Sequence, residues 1–176
     1  MEKDKRLKRH ENRDDLVGEY IWGDMGQIIL LMIFLIIWVG DSFVFHHSTF
    51  LSKYVSFYIL LPISLVILFC SGYLARSGLR IVFGEVREQP AVIRKGVFGI
   101  VRHPIYLGSI LFYLGLIIST ISLLSLAVWL IIIVFYYFIS RYEEKLLLQK
   151  FGNDYQTYLD EVPMWIPRLI SAEKIS

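Results

Sequence analysis

Two stretches of the chain concentrate side chains that could do chemistry. The first reads Gly96-Val97-Phe98-Gly99-Ile100-Val101-Arg102-His103-Pro104-Ile105-Tyr106-Leu107-Gly108. The second opens with Arg141-Tyr142-Glu143-Glu144 and continues to Phe151-Gly152-Asn153-Asp154-Tyr155-Gln156-Thr157-Tyr158. Proline suits the first turn of a helix, where its missing N–H is not needed, so Arg102-His103-Pro104 reads as a helix start. That start offers a guanidinium, an imidazole and unpaired helix amides, which together attract an anion such as a carboxylate. The second stretch offers carboxylates, which accept hydrogen bonds from hydroxyls or attract a cation. A zwitterionic ligand bearing hydroxyls fits the pair, and Gly96, Gly99 and Gly108 allow close approach of backbone or ligand. Plainer readings stand beside this one. Arg102-His103 is also what a basic flank anchoring a span looks like, Glu143-Glu144 what a solvated helix end looks like, and Tyr155 with Tyr158 a stripe lying on a membrane.

The elements that would hold these groups follow from composition. Of the 176 residues, 56% are hydrophobic and 19% charged, against about 45–50% and about 25% in soluble domains. The apolar excess is concentrated in residues 27–45, 54–75 and 104–140, whereas residues 1–15 are mostly charged. This excludes a disordered chain, a nucleic-acid-binding domain and a disulfide scaffold, and it predicts a polytopic membrane protein. A span needs roughly 20 apolar residues; the third stretch is long enough for two, broken only by Ser119, Thr120 and Ser122. We therefore expect an all-α bundle of about four transmembrane helices, ending in a tight helical hairpin with a two-sided polar pocket at its cytoplasmic end. Pro62 should kink the second helix, and Tyr20 and Trp22 suit the inner interface.

Charge gives an independent test of this topology. Seventeen of the eighteen Lys and Arg residues fall before the first span, between the second and third, or after the fourth; Lys53 alone lies in the first loop. By the positive-inside rule those three regions are cytoplasmic, which places both termini in the cytoplasm of a multi-pass protein. The basic amino terminus reads as an orienting tail for anionic lipid, and no cleavable signal is apparent in it. We divide the chain into residues 1–77, with the basic tail and first two helices, and residues 78–176, with the hairpin, the polar clusters and an amphipathic tail. Cys70 is the single cysteine, and His46 and His47 have no third ligand nearby; neither metal nor disulfide is expected.

At the polar clusters the sequence resembles the isoprenylcysteine carboxyl methyltransferase family, which also takes in phospholipid N-methyltransferases. The resemblance runs through Arg102-His103-Pro104-Ile105-Tyr106-Leu107-Gly108, Glu143-Glu144, Phe151-Gly152-x-x-Tyr155-x-x-Tyr158 and Val162-Pro163-x-x-x-Pro167, with Val92-Ile93-Arg94-Lys95-Gly96 upstream. It covers roughly residues 78–170. It implies an S-adenosylmethionine-dependent methyltransferase acting on a lipophilic or lipid-anchored acceptor, whether carboxylate, thiol or amine. It also makes the polar pocket a cytoplasmic cofactor pocket, with cofactor contacts from His103, Pro104, Ile105 and Tyr106, an adenosine side lined by Val92, Ile93 and Phe98, and ribose or amino-group contacts from Glu143 and Glu144. Arg102 is assigned to the cofactor carboxylate or to lipid headgroups. The chain departs from the pattern at Val97-Phe98, where the family often has Pro-Tyr, and at Glu161, where a basic residue is usual. Ile139 and Ser140 stand where prenylcysteine enzymes carry an arginine. Two other readings are a nicotinamide-dependent sterol-type membrane reductase and a non-catalytic membrane bundle. No general base is nominated, because a sulfonium methyl is already activated and catalysis is chiefly positioning.

Overall fold

The computed structural model describes residues 21–84 and 91–167. The basic amino-terminal run, Tyr20, Arg87, Arg168 and Lys174 lie outside the described residues, as does the Trp22 side chain. Five α-helices and no strands are found among the described residues: α1 Ile21–Val39, α2 Phe57–Phe83, α3 Pro104–Thr120, α4 Leu123–Phe151 and α5 Asn153–Glu161. Three apolar segments are long enough to cross a membrane, Met25–Phe45, Phe57–Phe83 and Leu123–Phe151. The all-helical membrane fold is as expected. The 17-residue α3 is shorter, about 25 Å at 1.5 Å per residue.

Helix α2 runs eight residues beyond the apolar stretch that ends at Ala75, continuing through Arg76 and Arg80 to Phe83. The reason is physical: hydropathy marks the part of a helix immersed in hydrocarbon, about 30 Å thick, whereas the 27 residues of α2 reach about 40 Å. Pro62 lies six residues into α2 and the helix continues through it. The division between residues 77 and 78 falls inside this same helix.

Helices α2 and α3 pack along small residues. A methyl group at Gly108 would lie 3.0 Å from the Ser71 carbonyl oxygen, one at Gly115 2.7 Å from Leu68, and one at Gly78 2.6 Å from Ile105. Two α2 hydroxyls use that closeness: Ser71 Oγ donates to Gly108 O at 2.7 Å and Ser64 Oγ to Gly115 O at 2.8 Å. Close backbone approach with interhelical hydrogen bonds is how helices adhere where no hydrophobic force separates protein from lipid. On the other side of α3, a core of Phe34, Ile110, Tyr113, Ile117, Ile132 and Tyr136 joins it to α1 and α4.

The hairpin turn between α3 and α4 is as tight as the sequence indicates. Ile121 takes a left-handed conformation at φ 50°, and Ser122 caps α4 by accepting from Ser125 N. Beneath it, a π-helical turn Gly40–Phe45 ends α1 and buries Asp41. That carboxylate accepts from Ser48 N at 2.9 Å, from Ser48 Oγ and from Ser122 Oγ, tying the first loop to the hairpin. At the opposite end, Gly152 (φ 54°, ψ −127°) separates α4 from α5 in a conformation that only glycine adopts readily. The chain then turns back over the start of α3: Arg102 N donates to Pro163 O at 2.9 Å and His103 N to Met164 O at 3.3 Å.

Candidate functional site

His103 and the Glu143-Glu144 pair, forty residues apart in sequence, meet where α3 begins and α4 emerges from its apolar stretch. The antiparallel hairpin does this, because neighbouring helices joined by a short turn bring the start of one beside the end of the other. His103 Nε2 lies 3.2 Å from Glu144 Oε1, and Nδ1 lies 3.6 Å from Glu143 Oε2. Tyr106, one turn into α3, donates its hydroxyl to Glu143 Oε1 and stacks nearly parallel on His103, with ring centroids 5.7 Å apart. Tyr136 of α4 lies 5.2 Å from Tyr106 and continues the aromatic wall into the bundle.

The two carboxylates differ in setting. Glu144 is 3% exposed and fully engaged: Oε1 accepts from Arg102 Nε at 2.8 Å and from His103, and Oε2 accepts from Arg141 at 3.1 Å. Glu143, 19% exposed, is the more accessible of the two. With Nε2 donating to ionised Glu144, the neutral imidazole presents an Nδ1 lone pair toward Glu143 Oε2, across a gap too long for a hydrogen bond. A hydroxyl or ammonium donor entering that gap would find acceptors on both sides. Burial pushes the His103 pKa below its ordinary 6.5; hydrogen bonding to Glu144 opposes the shift and the charge on Arg102 adds to it. The ring is therefore neutral at pH 7.

Arg102 turns inward. Besides Glu144, it donates through Nη1 to Leu159 O at 3.0 Å and to Val162 O, fastening the end of α5 to the start of α3. Pro104 is buried at the first turn of α3, and Ile105 packs on Gly78 of α2. Val92 packs against Tyr155, Tyr158 and Val162, and the Phe98 carbonyl accepts from Tyr158 Oη at 2.7 Å. Ile93 is half-buried beside them in sequence. Tyr155 and Tyr158 thus form a buried face against the protein rather than a stripe lying on a membrane. Burial drives both phenol pKa values upward.

Sequence reasoning missed two further groups. Ser140 Oγ and Trp165 Nε1 are buried side-chain polar atoms with no hydrogen-bond partner. Their isolation is a tertiary property; the sequence signals were Ser140's place where prenylcysteine enzymes carry an arginine and Trp165's place inside Val162-Pro163-x-x-x-Pro167. Among the described residues, no group of three or more His, Cys, Asp or Glu could hold a metal ion.

Comparison with known proteins bears on the fold and the family. The solved structure of a eukaryotic intramembrane Ras methyltransferase, an isoprenylcysteine carboxyl methyltransferase, superposes with a TM-score of 0.50 over 88% of this chain and 70% of that one, at 22% identity. The overall helical arrangement is therefore shared. Protein-S-isoprenylcysteine O-methyltransferase B of Arabidopsis thaliana is 33% identical over 97 residues, covering 52% of this chain and 47%, about half, of that protein's length. The phospholipid methyltransferase sequence profile matches residues 58–154, so the likeness reaches back through α2, beyond the part of the chain whose motifs carry it. With more than half of its length matched, this chain belongs to the phospholipid methyltransferase family.

Proposed function

We propose that the chain is an integral membrane methyltransferase that uses S-adenosylmethionine to methylate a lipophilic or lipid-anchored acceptor. The observation that carries the reading is the convergence of His103, Tyr106, Glu143 and Glu144 at one end of the α3–α4 hairpin. The residues suit such a cofactor. The acceptor-lined gap between His103 Nδ1 and Glu143 matches hydroxyl or ammonium donors, and the amides at the start of α3 favour a carboxylate. When bound, S-adenosylmethionine supplies a methyl already activated by the sulfonium.

The protein's own residues then bind and orient. His103 and Glu143 accept from the ligand's donors, Tyr106 holds Glu143 in place, and the Tyr106–Tyr136 wall excludes water from the apolar side. Pro104 and Ile105 fix the first turn of α3, while Val92, Ile93 and Phe98 form the wall next to α5. Arg102 and Glu144 are positioning residues: their ion pair fixes the imidazole and joins three segments of the chain. A thiolate or carboxylate acceptor is already nucleophilic, so no side chain is assigned as base. The distribution of Lys and Arg turns this end of the bundle toward the cytoplasm. Acceptors then enter from the bilayer and the cofactor from water.

Isothermal titration in detergent tests the reading. S-adenosylmethionine should bind the wild type, and His103→Ala and Glu143→Ala should each weaken it at least several-fold, about 1–3 kcal/mol or roughly 5- to 150-fold for loss of a hydrogen bond in a partly buried site. Unchanged affinity in both variants removes the site assignment. Binding of NADPH instead points to a reductase, and binding of neither to a non-catalytic bundle.

A further inference from the structure

Ser140 is wholly buried, and its hydroxyl has no partner. A helical serine commonly bonds back to the carbonyl four residues earlier; this one does not. The Trp165 indole N–H is likewise buried without an acceptor, whereas the Trp38 and Trp129 indoles bond the carbonyls of Leu116 and Ile110. Two desolvated donors left unpaired by the protein need an explanation, and their positions supply one.

At 3.6 residues per turn, Glu143, Tyr136, Ser140, Glu144 and Tyr137 of α4 fall in that order within an arc of about 120°. Ser140 therefore sits between Tyr136 and the carboxylates, one turn deeper into the bundle than Glu144. Trp165 reaches the same wall from the returning tail: its ring lies 6.3 Å from Tyr137 and packs on the core that contains Tyr136. Its neighbour Met164 is held by the His103 amide, so the indole is fixed relative to the imidazole. Both donors thus lie against the face of α4 that carries Tyr136 and Glu144, deeper in the bundle than the carboxylates and on the side from which an acceptor in the bilayer would present its head. An indole N–H can only donate, so the group it meets must carry an acceptor oxygen.

We propose that Ser140 Oγ and Trp165 Nε1 together donate hydrogen bonds to an anionic oxygen on the head of a lipophilic ligand, the methyl acceptor of the reaction proposed above. This rests on that reading for the ligand's role. The recognition is neutral: a hydroxyl and an indole orient the oxygen without forming an ion pair, which leaves its charge for reaction. The shared chemistry is an oxygen of a carboxylate or of a phosphodiester.

The test follows the indole itself. The full chain, labelled with 15N-tryptophan in a maltoside detergent, is titrated with N-acetyl-S-farnesylcysteine in one arm and with phosphatidylethanolamine in the other. The Trp165 resonance is assigned by its loss in Trp165→Phe. It should move downfield on addition of at least one probe, and Ser140→Ala should weaken that probe about three- to tenfold. S-adenosylmethionine affinity should stay within about twofold in both variants, since neither donor faces that ligand in this account. Movement with the first probe alone assigns a carboxylate, with the second alone a phosphodiester, and with both a shared oxygen site. A resonance unmoved by either probe, or an affinity indifferent to Ser140→Ala, overturns the proposal. Failure of the wild type to bind S-adenosylmethionine is read separately, and it removes the proposed function rather than the donor pair.

Discussion

Neutral His103 is the residue on which the site's electrostatics turn. Its pKa lies below 6.5 in the folded protein, chiefly because burial disfavours the imidazolium. The unfolded chain then binds the proton first as the pH falls, so acidification favours unfolding. The contribution is undiminished above about pH 6.5 and is lost as the pH falls toward the folded value. Thermal unfolding in detergent should show the midpoint dropping more steeply on acidification in the wild type than in His103→Gln, which has no proton to gain. Equal slopes would mean that the imidazole is not held neutral. Arg102 makes the complementary prediction. Glu144 is nearly inaccessible, and removing the guanidinium leaves its charge with the exposed Arg141 as its remaining cationic partner and deprives the Leu159 and Val162 carbonyls of their donor. Arg102→Ala should cost about 3–5 kcal/mol, as loss of one partner of a buried pair does. Arg102→Lys should recover only part, since one ammonium cannot reproduce the fork. Much of this was legible, because Arg102-His103-Pro104 and Glu143-Glu144 carry their chemistry in residue type and spacing. The inward turn of Arg102 was not. Its carbonyl partners lie 57 and 60 residues away, and no local pattern specifies them.

At the scale of elements, hydropathy and turn chemistry gave the spans, the hairpin and its tight Ser-rich turn, because burial in lipid imposes a pattern that extends along whole segments. What they could not give was which helix packs on which. That is decided by Gly78, Gly108 and Gly115, whose missing side chains let α2 and α3 touch. Gly72, on the same helix as Gly78, has nothing within 4 Å of where its methyl group would be. Gly108→Leu should therefore lower the unfolding midpoint by several degrees, consistent with the 1–3 kcal/mol typical of overpacking (roughly 2–4 °C per kcal/mol). Gly72→Leu should leave the midpoint unchanged. Equal effects at the two positions would argue that the α2–α3 contact is not what holds the bundle. The clasp around Asp41 was equally invisible to patterning, since hydropathy averages a single acid into the apolar stretch 27–45 that contains it. Asp41→Ala would remove the acceptor of the Ser48 amide and of the Ser48 and Ser122 hydroxyls, leaving Ser48 Oγ only the Leu124 amide and Ser122 Oγ only Ser125. It should cost about 1–3 kcal/mol and increase proteolysis in residues 46–56, with little change at the His103 end. Cleavage spreading equally to both ends would mean that Asp41 stabilises the bundle as a whole.

For the whole molecule, the decisive quantity is which side of the membrane each end of the bundle faces. The described charges are unevenly placed: Lys53 is exposed at the Asp41 end, whereas Arg94, Arg141 and Lys150 gather at the His103 end. Each basic residue near a span resists transfer across the membrane, so the positive-inside rule predicts that the richer end stays in the cytoplasm, the orientation proposed above. The proposed chemistry requires the same orientation, because a charged, water-soluble methyl donor can reach only a site open to the compartment that supplies it. Two arguments of different origin, insertion energetics and substrate access, therefore meet in one measurement. On a Cys70→Ser background, Lys53→Cys should react with a membrane-impermeant maleimide in intact cells, and Lys150→Cys only after permeabilisation. The reverse pattern would put His103 and Glu143 on the outside. That would break the proposed reaction while leaving the fold intact, since α2, α3 and α4 pack as they do whichever way the bundle is inserted.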